Sequence, residues 1–340
     1  MKKLYPLKFA PILKPRVWGG NSLGDHIGEA WVVSDMEDAV SVATNGFLAE
    51  NDLSDILETY LGDLVGDRVF DFFNLQFPLL VKTMDIAERL SVQVHPDDGT
   101  AMERFYSYGK NEFWYIISSE PDSVVYMGFK RDTTAEEFYN ACLEGRAQEL
   151  MNAYHPSPGD CFFVEAGIVH SARGGIRTVE IQQPSDITFR LYDWGRENDP
   201  LTRREMHLEE ALDCISFNKY DESRYYFRPS DGEINFTDRN HFAIRGIALY
   251  DEVSVPVEQY ESFAVYVCTR GSAALRYNSD EGPQTCTVVQ DEAVLVPASM
   301  EEVILVPGDG DTHLLEVRMP HLEEEEYDFY KEEDGRDQNR

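Results

Sequence analysis

From Phe242 to Val306 the chain is a succession of short β-prone runs, 242–245, 262–269, 273–277, 285–289, 292–296 and 302–306, separated by turn formers and charged residues. Many short strands at close intervals specify a sandwich or a barrel. The N-terminal part has the same texture: Glu29–Ser34, Phe77–Met84, Leu90–His95, Lys110–Ile117, Gly159–His170, Thr178–Gln183 and Thr188–Tyr192 all read as strands. The stretch Gly159-Asp-Cys-Phe-Phe-Val-Glu-Ala is echoed by Gln290-Asp-Glu-Ala-Val-Leu-Val-Pro-Ala, and only the first copy goes on to a histidine, His170. The expectation is a mainly β chain in which one barrel is used twice, with the chemistry in the first copy.

Helical spacing appears in few places. Leu53–Leu64 carries it, with Asp52 or Ser54 as cap, and Thr133-Thr-Ala-Glu-Glu opens a helical insertion over about 132–155 that includes Phe138, Leu143 and Leu150. Leu208–Ile215 reads as a short helix. Pro11–Gly20 reads as irregular around Trp18, and the polar stretch 218–240 as a linker. These boundaries place a first domain at 1–235, a second at 236–320 and an acidic tail at 321–340.

Composition narrows the classes of function. A hydrophobic share of 42% with 12% aromatic residues belongs to a folded globular protein. No apolar run is long enough to span a bilayer. Pro6, Lys8, Pro11 and Lys14 break up the first twenty residues, which do not form a secretory signal. Five cysteines, scattered and without a CxxC pair, fit a reduced, cytoplasmic protein. A formal net charge of −33 argues against nucleic acid and anionic membranes as partners. It also means that an anionic substrate must be met by cations gathered locally, on a monomer or a homodimer. No glycine-rich phosphate loop or dinucleotide fingerprint is present.

The residues with most chemical content begin at Leu90-Ser-Val-Gln-Val-His-Pro-Asp-Asp98. Alternation sends Leu90, Val92 and Val94 one way and Ser91, Gln93 and His95 the other, and Pro96 ends the strand. An amide oxygen and an imidazole nitrogen two residues apart can be metal ligands, or simply part of a polar solvent face. Glu112, at the start of a strand, and His170, after the tight turn at Ala166-Gly167, can join them. Two imidazoles, a carboxylate and an amide around one divalent ion leave positions open for water or substrate, and small barrels converge such side chains on their interior.

Ser-Val-Gln-Val-His-Pro-Asp-Asp (91–98), Gly-Lys-x-Glu-x-Trp-Tyr-Ile (109–116), Ala-Gly-x-x-His (166–170) and Glu-Ile-Gln-Gln-x-Ser-Asp-x-x-x-Arg (180–190) resemble class I mannose-6-phosphate isomerase, a zinc-dependent family of cupin fold. The resemblance covers about residues 5–320, near the length of the short bacterial form. It implies two cupin-type (jelly-roll) β-barrels, one Zn2+ per chain held by Gln93, His95, Glu112 and His170, and a catalytic Arg190. The chain departs from the family in having Glu165 where proline precedes Ala-Gly, and Ser171 where alanine is commoner.

The reaction implied is the interconversion of mannose 6-phosphate and fructose 6-phosphate. It needs a base to carry a proton between C2 and C1 through an enediol, and an electrophile for the charge that develops on oxygen. Glu180 is the candidate base, its alternative being a charge partner of Arg190 or Lys82. Lys110 can shuttle protons, and Lys82, Arg16 and Lys14 are the candidate phosphate cations. Two other functions fit the same barrel: a non-haem iron oxygenase, since His-Glu-His sets also serve iron, and a sugar-binding or regulatory protein without turnover.

Overall fold

The computed structural model describes residues 2–229, 234–238, 241–308 and 310–321, so the expected acidic tail lies outside the described residues from 322 onward. Contacts group the chain into two units, one of Ile12–Trp31 and Leu79–Pro229, the other of Met1–Pro11, Val32–Pro78 and Ser230–Arg340. The expected change of domain near 235 falls close to the passage at 229–230. The segments 1–11 and 32–78, however, group with the C-terminal part. Leu7 and Lys8 pair antiparallel with Leu295 and Val294, which draws the N-terminus into that sheet.

The first unit contains β1 (Ile12–Gly20), β2 (Ile27–Val33), β3 (Leu80–Ile86), β4 (Val92–Val94), α1 (Asp98–Phe105), β5 (Glu112–Ser119), β6 (Val124–Phe129), α2 (Ala135–Leu143), α3 (Ala147–Leu150), β7 (Met151–Tyr154), β8 (Cys161–Val164), β9 (His170–Arg173), β10 (Ile176–Gln182), β11 (Phe189–Tyr192) and β12 (Tyr226–Phe227). The strands form a seven-stranded sheet, β12-β8-β5-β10-β3-β1-β2, and a five-stranded sheet, β7-β6-β9-β4-β11, with antiparallel neighbours. The segment Pro11–Gly20 is not irregular. It is the strand β1, whose register slips at Pro15, where a residue without an N–H interrupts the ladder.

β4 follows its alternation. Val92 and Val94 are fully buried in a cluster with Val124, Phe129, Phe138, Cys142, Met151 and Phe189, while Gln93 points to the opposite face of the sheet. The helical insertion covers the apolar side. Thr134 caps α2 by accepting from Glu137 N at 3.1 Å. Phe138, in the first full turn, is wholly buried, which stabilises the packing by about 2–3 kcal/mol.

Two local expectations fail. Residues 208–214 form turns instead of a helix, because Ala211 N bonds to His207 O but Cys214 N bonds to Ala211 O, and no regular ladder builds. The stretch 218–240 is not a bare linker. It contains the turn of helix Glu222–Tyr225, strand β12, and Asn235–Asp238, with Tyr226 stacked on Phe162 at 4.7 Å between centroids.

The second unit has a six-stranded sheet, Leu7–Lys8, Ala293–Val296, Ala264–Arg270, Thr312–Arg318, Phe242–Leu249 and Asn235–Asp238, and a four-stranded sheet, Val253–Val255, Val303–Pro307, Ser272–Ser279 and Gly282–Val289. Its strand order repeats that of the first unit. Phe242–Leu249, Ala264–Arg270, Ala293–Val296 and Thr312–Arg318 correspond to β3, β5, β8 and β10, and Val253–Val255, Ser272–Ser279, Gly282–Val289 and Val303–Pro307 to β4, β6, β7 and β9. Among the described residues β11 has no counterpart there. Each unit is thus a pair of antiparallel sheets, the cupin-type arrangement, with the helical insertion in the first.

The register of this repeat is specific. Across β5, β10 and β3 stand Trp114, Glu180 and Lys82 in one row; across the corresponding strands stand Tyr266, Glu316 and Arg245. Val164 faces Glu112 in the first unit, and at that place in the second Val296 faces Ala264. The second interior is filled by Tyr266, Leu275, Val288, Leu305 and Leu314.

Candidate active site

Gln93 and His95 come from β4 and the residue just beyond it, His170 from β9, and Glu112 from the start of β5 in the other sheet. His95, Glu112 and His170 are all essentially unexposed, and their ligand atoms lie within 4.8 Å of one another. His95 Nε2 stands 3.1 Å from Glu112 Oε1, and His170 Nε2 stands 3.7 Å from Glu112 Oε2.

Hydrogen bonds fix the tautomers. His95 Nδ1 lies 2.9 Å from the Ile187 carbonyl and His170 Nδ1 lies 2.9 Å from the Ile168 carbonyl. A carbonyl only accepts, so both Nδ1 atoms carry the proton and both Nε2 atoms present lone pairs. Burial holds both imidazoles neutral, aided at His95 by Lys110 and at His170 by His95, and His170 falls to about 3. Burial opposes the charge on Glu112, but Lys110 and His95 outweigh it and keep the carboxyl far below its usual range. His95 Nε2 and Glu112 Oε1 are buried and make no hydrogen bond, although the Lys110 ammonium stands 3.1 Å from Oε1 as an ion pair. Two lone-pair donors facing each other at that distance are costly unless a cation lies between them, and two imidazoles and a carboxylate are the donor set of a divalent ion. Gln93 Nε2 is 3.1 Å from His170 Nε2 and its Oε1 is 3.1 Å from Ser91 Oγ. Rotating the amide by half a turn brings Oε1 to the imidazole and lets Nε2 donate to Ser91. The residues fit a metal ion.

The backbone around these ligands is tightly tied. Gly109 N donates to Asp98 Oδ1 at 2.8 Å and Lys110 N to Pro96 O at 3.1 Å, so the approach to β5 runs against the segment after β4. A Cβ on Gly109 would come 2.5 Å from Asp98 N, and glycine is required there. Asn111 Oδ1 accepts from Ala166 N and its Nδ2 donates to Gln183 Oε1, both at 2.8 Å. Gly167, at φ +88°, donates its N–H to His95 O. Glu165, standing in place of proline, pairs with Arg224 and Tyr225 beside this turn.

Gln93 and Glu112 line a cavity of about 360 Å³, whose walls also include Lys82, Lys110, Glu180, Arg190, Arg204 and His207. Glu180 accepts from Lys82 Nζ at 2.8 Å and from Trp114 Nε1 at 2.9 Å. The same indole N–H is 3.1 Å from Glu112 Oε2, so one donor is shared between the two carboxylates. Burial, then the Glu112 charge, raises the Glu180 carboxyl, while Lys82 and Lys110 pull it back. Lys110 Nζ stands 3.1 Å from Glu112 Oε1 and 3.4 Å from Thr188 Oγ1.

Of the expected phosphate cations, Lys82 and Arg16 line this cavity, each already paired with a carboxylate. Lys82 is buried and committed to Glu180 and Gln182, and Arg16 makes a bidentate pair with Glu29 at 2.9 and 3.0 Å. Lys14 is not among the lining residues; its ammonium lies over the Trp31 ring at 4.5 Å. Arg190 pairs in register with Gln93 across β4 and β11. Its NH1 donates to Glu205 O, its Nε has no partner, and burial together with Arg204 lowers the guanidinium to about 10. Arg204 and His207 are cavity residues that the sequence reading missed. They sit in a turn-rich stretch with no periodicity, and the run of cations Arg203-Arg204 was their one signal.

Residues 22–115 match the family model of the phosphomannose isomerase type I catalytic domain. Over 222 residues the chain is 37% identical to mannose-6-phosphate isomerase ManA of Bacillus subtilis (strain 168), covering 62% of this chain and 68% of that protein. The chain belongs to the class I mannose-6-phosphate isomerase family. A second member of the family, mannose-6-phosphate isomerase of Streptococcus mutans serotype c, is 32% identical over 223 residues, covering 63% of this chain and 69% of that protein. The crystal structure of the mannose 6-phosphate isomerase from Bacillus subtilis superposes with a TM-score of 0.76 at 26% identity, covering 92% of this chain and 99% of that one. The family likeness thus extends through both cupin-type units, including the one in which Ala264 stands at the place of Glu112.

Proposed function

We infer that this chain is a mannose-6-phosphate isomerase, an aldose–ketose isomerase that interconverts mannose 6-phosphate and fructose 6-phosphate. The observation that carries the site assignment is the buried His95 Nε2 lone pair, without a hydrogen-bond partner and facing the Glu112 carboxylate at 3.1 Å, with the His170 lone pair beside them.

Gln93, His95, Glu112 and His170 would hold one Zn2+, an ion readily bound by imidazole nitrogen and carboxylate oxygen. When bound, a divalent ion supplies Lewis-acid polarisation of a sugar oxygen. The remaining work falls to the side chains. Glu180, raised by burial and by Glu112, moves the proton between C2 and C1, and Lys82 and Trp114 hold its two oxygens in fixed directions. Lys110, between Glu112 and Thr188, serves oxygen protonation, and Arg190 offers a permanent charge to an anionic oxygen. We place the reaction in the cytoplasm, on a monomer or a homodimer.

The test is a coupled assay for fructose 6-phosphate, run with and without a chelator, with metal analysis of the same sample. Failure of metal-loaded protein to convert mannose 6-phosphate would overturn the reading.

A further inference from the structure

The cavity's positive charge is unevenly distributed. Arg16, Lys82 and Lys110 are each matched by a carboxylate: Glu29, Glu180 and Glu112. Arg190 and Arg204 also line the cavity, together with Glu205, and Arg204 shares the wholly buried carboxylate of Asp193 with Arg196, which lies outside the cavity. Arg204 Nε and NH2 bond to the two Asp193 oxygens at 3.0 and 2.5 Å, and Arg196 NH2 bonds to Oδ1 at 2.6 Å. Arg190 has no carboxylate of its own: its NH1 takes a backbone carbonyl and its Nε is unpartnered. Arg190, Arg196 and Arg204, set against the carboxylates of Asp193 and Glu205, leave a small local surplus of positive charge in a chain of formal charge −33. Arg204 is one-fifth exposed at the cavity wall.

His207 adds a directed donor. Its Nδ1 accepts from Arg190 N–H at 3.2 Å, so the neutral ring carries its proton on Nε2. Its nearest acid, Glu205, stands 3.9 Å from that nitrogen with its side chain 86% exposed.

We propose that Arg204 and His207 bind the phosphate group of the sugar phosphate, beside Arg190, and that Asp193 is the positioning residue that holds Arg204 in place with Arg196 as its brace. This rests on the isomerase reading above and replaces Lys82, Arg16 and Lys14 as the phosphate set. A planar guanidinium already anchored on one side by a carboxylate presents its remaining N–H groups to a tetrahedral oxyanion without losing side-chain freedom.

The test compares wild type with Arg204→Ala, His207→Gln and Asp193→Asn. The KM for mannose 6-phosphate is measured together with the binding, by calorimetry, of glucitol 6-phosphate, an open-chain alditol phosphate that cannot isomerise. The proposal expects KM and the alditol phosphate Kd to rise together by about 10- to 100-fold in the Arg204 and His207 variants, the loss typical of a charge-assisted contact. kcat falls much less, and Asp193→Asn shows the same split to a smaller degree. Thermal unfolding of each variant identifies any that fail to fold, in which case the other variants decide. Unchanged Kd in both Arg204→Ala and His207→Gln, or a loss of kcat with Kd intact, overturns it. If wild type fails to isomerise, the functional reading falls, while calorimetry still decides whether Arg204 binds the phosphate.

Discussion

Glu316 holds in the second unit the register place that Glu180 holds in the first. Each is flanked by an aromatic donor and a cation: Trp114 at 2.9 Å and Lys82 at 2.8 Å for Glu180, Tyr266 at 2.8 Å and Arg245 at 2.7 Å for Glu316. One row borders a cavity and the other backs onto packed aliphatic side chains. The two glutamates therefore separate folding from turnover. Glu316→Ala leaves the buried Tyr266 hydroxyl without its acceptor and should cost about 2–4 kcal/mol of stability with kcat preserved. Glu180→Gln keeps the shape of the row and should lower kcat by about 100-fold or more. Thermal unfolding and turnover measured on the same samples check both, and a fall in kcat for Glu316→Ala would contradict the division.

Removing the metal should abolish turnover and also lower the melting temperature, because the His95 Nε2 lone pair is then left without a partner against the Glu112 carboxylate. Dialysis against a chelator followed by Zn2+ addition should restore both. His170→Ala should release the metal at chelator concentrations that wild type tolerates, as metal analysis after dialysis would show. Retention of metal by that variant would remove His170 from the ligand set.

Asn111 does not line the cavity, yet it ties Ala166 N to Gln183 Oε1 and so links the turn before His170 to the strand of Glu112. Asn111→Ala should weaken metal affinity by about 10- to 100-fold, as loss of a supporting contact commonly does. Competition with a chromogenic chelator measures it, and an unchanged affinity would make the link dispensable.

Asp35 supplies a pH dependence away from the site. Burial raises its carboxyl to about 6, although Phe77 N donates to it at 2.9 Å. The folded state therefore binds this proton more tightly than the unfolded chain. The stability linked to it is complete below the unfolded value near 3.8 and is lost as pH rises through about 6. Asp35→Asn should raise stability by about 1–2 kcal/mol at pH 8 and change nothing below about pH 4. Denaturant unfolding at the two pH values checks the sign.

Much of the β architecture could be read from alternation, because a half-buried strand writes its two faces directly into the sequence, as Val92 and Val94 against Gln93 show. The repeat was visible at Asp160 and Asp291, with Glu292 inserted in the second copy before the strand Ala293–Val296. The segments that misled are those where tertiary contacts decide. β1 contains Pro15 and two glycines, and only pairing with Trp31, Ala30 and Glu29 makes it a strand. Residues 208–214 have helical spacing, but they are held as turns against the outer face of β11. Arg204 and His207 could not be found by periodicity, since their role comes from a carboxylate at Asp193 and a backbone N–H at Arg190.

The pairing of Leu7 with Leu295 has a consequence for how the molecule is made. Ile12–Pro229 contains every strand of the first unit's two sheets, so that unit can close while the ribosome is still working. The edge strand Leu7–Lys8 of the other sheet must wait for its partner, Ala293–Val296, which is synthesised only after the whole of the first unit. At about 5–20 residues per second that interval is on the order of tens of seconds. During it, Leu7 and the helices at Leu53–Tyr60 and Asp67–Phe73 belong to a unit whose strands from 242 onward do not yet exist. Nascent chains stalled before residue 293 should accordingly depend on a holding chaperone, and those carried past residue 318 should not.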